Sequence, residues 1–170
     1  MTYILDSNIF IQAQNDYYCL DVCPGFWDFL DNKFKAGEIV SITNVYDELK
    51  KKDDDVFSWV QSRKEFFGKT EDRDTQINYA EIANHVTKFY SKKQQNNPHI
   101  KRFLDVADPW IIAKARSINA IVVSHEIRGK DKNNPKPKIP EICDHFGITT
   151  IRTKELLREL QVKFIMESKL

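Results

Sequence analysis

The chain has 170 residues and a mass of 20.0 kDa, with 41% hydrophobic, 12% aromatic and 30% charged residues and only 5 Gly and 6 Pro. That length suits one domain over residues 1–170, and the composition excludes a disordered chain, a collagen-like repeat and a coiled-coil rod. No apolar run approaches the ~18–20 residues that cross a bilayer. The start, Met1 to Asp6, also lacks the basic and apolar regions of a signal peptide.

Three cysteines, Cys19, Cys23 and Cys143, make an odd, scattered set. They argue against a disulfide framework and for a reducing, cytoplasmic setting. A Cys3His zinc site with His145 is disfavoured by the Cys143-x-His145 spacing. The net charge of +1 hides an asymmetry: residues 1–90 carry 10 Lys+Arg against 16 Asp+Glu, and residues 91–170 carry 16 against 9. Such a split is compatible with an anionic partner or with two halves that neutralise each other.

Tyr3-Ile4-Leu5 reads as a short buried strand that breaks at a polar turn, Asp6-Ser7-Asn8. Gly25 to Lys35 carries Phe26, Trp27, Phe29, Leu30 and Phe34 at helical spacing and closes at Gly37. Ile39 to Ile42 is a second strand, followed by a cap-like Asn44 and a helix over Val45–Lys52. Asp53-Asp54-Asp55 opens a further helix with Val56, Phe57, Val60 and Phe67 on its inner face. Asp72 to about Lys92 is a longer helix, patterned by Ile77, Ile82, Val86, Phe89 and Tyr90. Asp108-Pro109 starts a buried helix reaching Ser117, with Asp108 as its cap. Ala120 to Val123 is the most strand-like run. Arg128 to Lys138 is a loop, Pro140–Phe146 a short helix, Ile148 to Ile151 a last strand, and Thr153 caps a final helix.

Short apolar strands alternating with helices predict an α/β fold: a three-layer α/β/α sandwich with a mainly parallel central sheet. A helical insertion occupies about 53–104. In such sheets ligands bind beyond the carboxyl ends of the strands. Asp6 and Asn8 follow the first strand, Glu48 lies soon after the second, Asp108 heads the helix before the third, and Ser124, His125 and Glu126 follow it. Asp6, Glu48, Asp108 and Glu126 therefore converge on one rim. Four carboxylates cannot all stay ionised there without a counter-charge. Oxygen ligands of this kind suit Mg²⁺ or Mn²⁺, and one or two such ions suit phosphodiester hydrolysis. Asn8 is expected to fix the turn and reach Asp6, and Ser124 to bond a carboxylate or a metal-bound water. His125 points away by strand alternation.

With these motifs in order, the chain resembles the PIN-domain ribonucleases, which include the VapC-type toxins. The matching runs are Tyr3-Ile4-Leu5-Asp6-Ser7-Asn8, Val45-Tyr46-Asp47-Glu48-Leu49, Ala107-Asp108-Pro109-Trp110-Ile111-Ile112-Ala113 and Val122-Val123-Ser124-His125-Glu126. The resemblance implies a PIN-like fold and a divalent-metal-dependent endoribonuclease, the toxin of a prokaryotic toxin–antitoxin pair with an antitoxin partner and a homodimeric assembly. The last acid is Glu126 where the family has Asp, so it has reach to act through water. The chain is also longer than compact toxins near 53–104. Asp105 is an alternative to Asp108 as third ligand, but the Ala-Asp…Ile…Ala spacing belongs to Asp108.

RNA needs cations beside the rim. Arg128, Lys130 and Lys132 begin two residues after Glu126 and are the candidate substrate contacts. Lys88 to Arg102, basic and interleaved with Phe89, Tyr90 and His99, reads equally as a solvated face. Two rivals remain at this point. A haloacid-dehalogenase-like phosphatase would want an acid where Asn8 stands, because its second carboxyl moves a proton. A catalytically inactive RNA-binding protein of the same fold is the other.

Overall fold

The computed structural model describes residues 1–131 and 133–165. In chain order the elements are β1 (Tyr3–Leu5), α1 (Ser7–Asn15), α2 (Pro24–Lys35), β2 (Ile39–Ile42), α3 (Thr43–Lys50) and α4 (Asp55–Gln61). A 3-10 turn, Lys64–Phe66, leads into β3 (Phe67–Gly68), then α5 (Arg73–Lys93), α6 (Pro98–Leu104) and α7 (Asp108–Ser117). β4 (Ile121–Val123), α8 (Ile139–His145), β5 (Thr150–Ile151) and α9 (Thr153–Glu159) complete the chain.

The sheet has five strands in the order β3-β2-β1-β4-β5, and every neighbouring pair is parallel. Tyr3 pairs with Ile39 on one side and Ile121 on the other, so β1 is the middle strand. All three of its residues are buried, as a strand covered on both faces requires. Helices cover the sheet in the expected three-layer α/β/α arrangement. Among the described residues no helix is long and apolar enough to cross a membrane.

α7 is largely enclosed: Pro109, Ile111, Ile112, Ala113 and Ala115 are all buried, and only its last turn points Lys114 and Arg116 outward, to Asp72 and Glu81. It touches β1, β2 and β4, while α5 packs along it with Tyr79 stacked on Trp110, ring centroids 3.8 Å apart. Aromatic side chains fill another part of the core. Phe10 of α1 stacks on Phe34 of α2 and tilts against Trp59 and Phe67, and Trp27 meets Trp59 edge-on.

Several sequence expectations are corrected here. The segment after Asp6 is not a turn but the start of α1, whose Ile9, Phe10 and Ala13 are buried. The 53–104 stretch is not wholly helical, because it contributes the edge strand β3. Phe67 belongs to that strand, since α4 ends at Gln61. α6 was not anticipated; Asn97 accepts from His99 N and Pro98 occupies its first turn. Asn44 caps nothing, because α3 already begins at Thr43 and the Asn44 carbonyl accepts instead from the Thr70 hydroxyl. Asp54 does cap α4, accepting from Phe57 N at 3.0 Å. Ile77 and Phe89 of α5 face solvent rather than the core.

Ile4 is fully buried at the centre of β1. Ile4→Ala is expected to cost about 2–5 kcal/mol, read as a lowered urea midpoint with an unchanged slope.

Candidate functional site

β1 feeds α1, α2 and then β2 on one side, whereas β4 lies on the other side of β1. The winding direction therefore reverses between β1 and β4. At such a reversal the helices diverge and leave a crevice at the carboxyl ends of the two strands. Asp6 leaves β1 and Ser124 leaves β4 at that crevice. The Asp6 amide donates to Val123 O at 3.1 Å, and the buried Ser41 hydroxyl donates to Leu5 O at 2.8 Å. The backbone entering Asp6 is thus held from both neighbouring strands.

Asp6 occupies the position preceding the first residue of α1, where Asp usually caps the helix with its side chain, yet it makes no such cap. Its carboxylate instead accepts from the Ser124 hydroxyl at 2.8 Å. Ser124 Oγ also accepts from Asn8 Nδ2 and from Glu126 N, each at 3.2 Å. Asn8 Oδ1 in turn accepts from His125 N at 3.0 Å. The expected bond from Asn8 to Asp6 is therefore corrected: Asn8 holds the serine and the backbone beyond it, bridging the ends of β1 and β4. His125 turns away as expected, its Nε2 lying 2.8 Å from the Thr153 hydroxyl. That hydroxyl is consequently not the cap of α9, whose Glu155 carboxylate accepts from Arg152 N.

The other two glutamates each hold the start of a helix. Glu48 Oε1 accepts from Ala107 N at 2.8 Å, and Glu126 Oε2 accepts from Ile139 N at 2.7 Å. A carboxylate suits a helix N-terminus because free N–H groups and the macrodipole both favour negative charge there. Each glutamate keeps one carboxylate oxygen outside these bonds. Asp108 was expected to cap α7, but Ala107 takes the capping position, and the side chain that meets the free amide there is Glu48. The Asp108 carboxylate is left for the crevice.

Electrostatics tie the four acids together. Burial pushes the Asp6 carboxyl up to about 7, against the lowering effect of the Ser124 bond and with further upward pushes from Glu126 and Glu48. Burial, then Asp6, Glu126 and Glu48, push Asp108 up to about 8. Burial also raises Glu126, opposed by the Ile139 amide and the Lys138 ammonium. Asp105, the alternative ligand, points elsewhere: it is exposed and paired with Lys101.

The side chains are not drawn into a closed shell. Among the described residues no three Asp, Glu, His or Cys groups converge tightly enough to hold an ion. The glutamates are spread apart by the helix N-termini that they serve. The donor set is nevertheless all oxygen, hard and anionic, and among the described residues Lys138 is the cation that acts on it, through Glu126. In charge and donor chemistry it fits a divalent cation held by Asp6, Asp108 and the remaining oxygens of Glu48 and Glu126.

The basic loop behaves differently from expectation. Arg128 is committed to Asp144 by two bonds of 2.7 Å and reaches Thr150 as well, so it braces α8 rather than waiting for substrate. Lys130 is exposed, and Lys132 lies outside the described residues. Sequence reasoning did not reach Ser41, although a lone hydroxyl inside the apolar run Ile39-Val40-Ser41-Ile42 was the available signal.

A family profile, Domain of unknown function (DUF4411), matches residues 3–164, and the chain belongs to that family. No curated protein and no solved structure matches the chain.

Raised carboxyl pKa values favour the folded state while the groups are protonated. In EDTA, the contribution of these groups should be complete near pH 4 and be lost as pH rises through about 7 for Asp6 and about 8 for Asp108. At ~1.4 kcal/mol per pKa unit the loss is on the order of 5 kcal/mol for each group. Asp108→Asn should flatten that slope in urea titrations run at pH 5 and pH 8.5. An equal slope in the variant would place the titration elsewhere. Ser124→Ala leaves Asp6, Asn8 and Glu126 N each short of a partner. It should cost about 1–3 kcal/mol and raise the Asp6 pKa further, which carboxyl-carbon NMR would read.

Proposed function

We propose that this member of the DUF4411 family is a divalent-metal-dependent endoribonuclease of the PIN type, hydrolysing RNA phosphodiester bonds. The observation that carries this reading is the crowded carboxylate set at the reversal point of the sheet, where Asp6 is buried, Glu126 and Glu48 raise its proton affinity, and Asp6, Glu126 and Glu48 together raise that of Asp108. Protein interiors do not keep such charge unless protonation or a bound cation relieves it. The ordered resemblance of the sequence motifs to PIN nucleases supports the same reading.

Asp6 and Asp108 are the principal ligands in this proposal, because backbone at a strand end and a helix start fixes their directions. Glu48 and Glu126 complete the shell with the oxygens not bonded to Ala107 N and Ile139 N. When bound, Mg²⁺ or Mn²⁺ supplies charge neutralisation, a more acidic water and stabilisation of the leaving oxygen. Ser124 keeps the Asp6 carboxylate aimed into the crevice, and Asn8 keeps Ser124 in place. Glu48 fixes the start of α7 and hence the place of Asp108. The same resemblance extends the proposal to a toxin, homodimeric, whose antitoxin seals the crevice with a basic side chain.

Three measurements test it. The parent should cleave RNA with Mg²⁺ or Mn²⁺ and lose cleavage in EDTA, and it should not hydrolyse a small phosphomonoester. Asp6→Asn keeps the shape and removes one charge, so it should fold and lose about 10²-fold or more in rate. Mn²⁺ should raise the melting temperature of the parent at pH 8 and leave that of Asp6→Asn nearly unchanged. Cleavage that survives EDTA, or an Asp6→Asn protein as active as the parent, would show that other groups run the reaction.

A further inference from the structure

Outside the carboxylate crevice, the described surface holds a cavity of about 420 Å³ between the second half of α5 and the end of α8. Its wall contains a stack of three nearly parallel rings. Phe89 lies on His85 with centroids 5.4 Å apart and planes 16° apart, and His85 lies on His145 at 3.7 Å and 18°. Phe146 closes the side of the stack, edge-on to both histidines. The Lys93 ammonium lies over the Phe89 ring, 4.6 Å from its centroid, and the far end of the stack is the exposed His145.

Rings usually stack to bury their faces. Here Phe89 remains 46% exposed and His145 is exposed as well, so the stack is open to solvent. Two lysines, Lys88 and Lys92, line the same cavity one helical turn apart. Among the described residues neither is paired with a carboxylate. The one acid in the lining, Glu81, is already paired with Arg116, whose guanidinium also lies 5.0 Å from the Phe146 ring centroid. The cavity therefore offers flat apolar faces beside unneutralised positive charge.

We infer that the cavity formed by His85, Phe89, His145, Phe146, Lys88 and Lys92 is a subsite for single-stranded RNA. An unpaired base extends the ring stack at His145, and the two lysines hold its flanking phosphates. A stacked base with a phosphate on each side is the ligand chemistry that matches an open aromatic stack beside paired cations. A duplex hides its base faces, and an acidic peptide has none. Glu126 bonds the first residue of α8 and His145 is its last, so the subsite lies about 10 Å along that helix from the crevice, toward the amino ends of the strands, where Phe146 shares a lining with Met1 and Ile121.

The inference rests on the RNA reading but not on hydrolysis, so binding is measured in EDTA with the full chain. The probe is a fluorescein-labelled ten-nucleotide single-stranded RNA, followed by anisotropy over a salt series. His145→Ala should weaken binding by about 10-fold or more, as loss of one stacking face does. His145→Phe keeps a stacking face and should stay within about threefold of the parent. Lys88→Ala with Lys92→Ala should flatten the dependence of log affinity on log salt by about 1.4, two phosphate contacts' worth. Uridine monophosphate should shift the imidazole NMR signals of His85 and His145. The inference is overturned if the parent does not bind the probe, or if all variants bind as the parent does. It is equally overturned if duplex RNA or polyglutamate competes as well as the single strand, or if His145→Phe loses as much as His145→Ala. Weakened binding in the variants without any Mn²⁺-dependent cleavage by the parent would leave this subsite standing and remove the hydrolytic reading. Cleavage with unaltered binding would do the reverse.

Discussion

Between β1 and β4 the winding of the sheet reverses, and the crevice so opened sets what the residues at the strand ends must do. Asp6 sits at the mouth of this crevice, 2% exposed, at a helix-capping position whose usual bond it forgoes. The Ser124 hydroxyl, from the strand across the gap, replaces that bond. Asn8 then ties the same hydroxyl and the His125 amide to the first turn of α1. A loop and a helix start, separated by more than one hundred residues, are thereby locked to one another. The geometry of the acids depends on this lock, because Glu126 begins where the serine ends and its own amide donates to the same oxygen.

The glutamates show how charge and architecture share the same atoms. Glu48 anchors α7 and Glu126 anchors α8, so each acid is part of the scaffold that presents Asp108 or frames the crevice. Truncating either would remove a crevice carboxylate and release a helix start together, and a loss of activity alone would not separate the two effects. Neither Asp6 nor Asp108 holds a helix start, and Asn in place of Asp6 keeps a side-chain oxygen for the Ser124 hydroxyl. Their replacement by Asn is therefore the cleaner probe of chemistry.

Parts of this arrangement are legible in the sequence because they are local. Apolar triplets at Tyr3, Ile39 and Ile121 announce parallel strands, and the Asp108-Pro109 start announces a helix, though the residue in the capping position is Ala107. Placing Asp6, Glu48, Asp108 and Glu126 near one rim follows from strand ends alone. What escaped has physical reasons. α1 hid behind polar residues that also make turns, although Ile9, Phe10 and Ala13 carry a helical spacing. β3 is two residues long and sits in an aromatic run, too short for any periodicity. The pairing of Arg128 with Asp144, and of Asn8 with Ser124, joins residues whose separation along the chain only folding removes. The PIN-like reading of function remains a proposal built on these acids and on the motif order.

The central position of β1 has a consequence for the order in which the molecule is made. The first strand to leave a ribosome is the one that needs neighbours from both directions, and its partner at Ile121–Val123 is translated much later. Sheets closed by such distant pairings form slowly. Until β4 arrives, Asp6 has no Ser124 and β1 has one bare edge. At bacterial or eukaryotic elongation rates of about 5–20 residues per second, that interval lasts some seconds. A nascent chain therefore carries the separate acids but no assembled crevice, and whatever chemistry the crevice performs begins only after β4 and Ser124 have been synthesised.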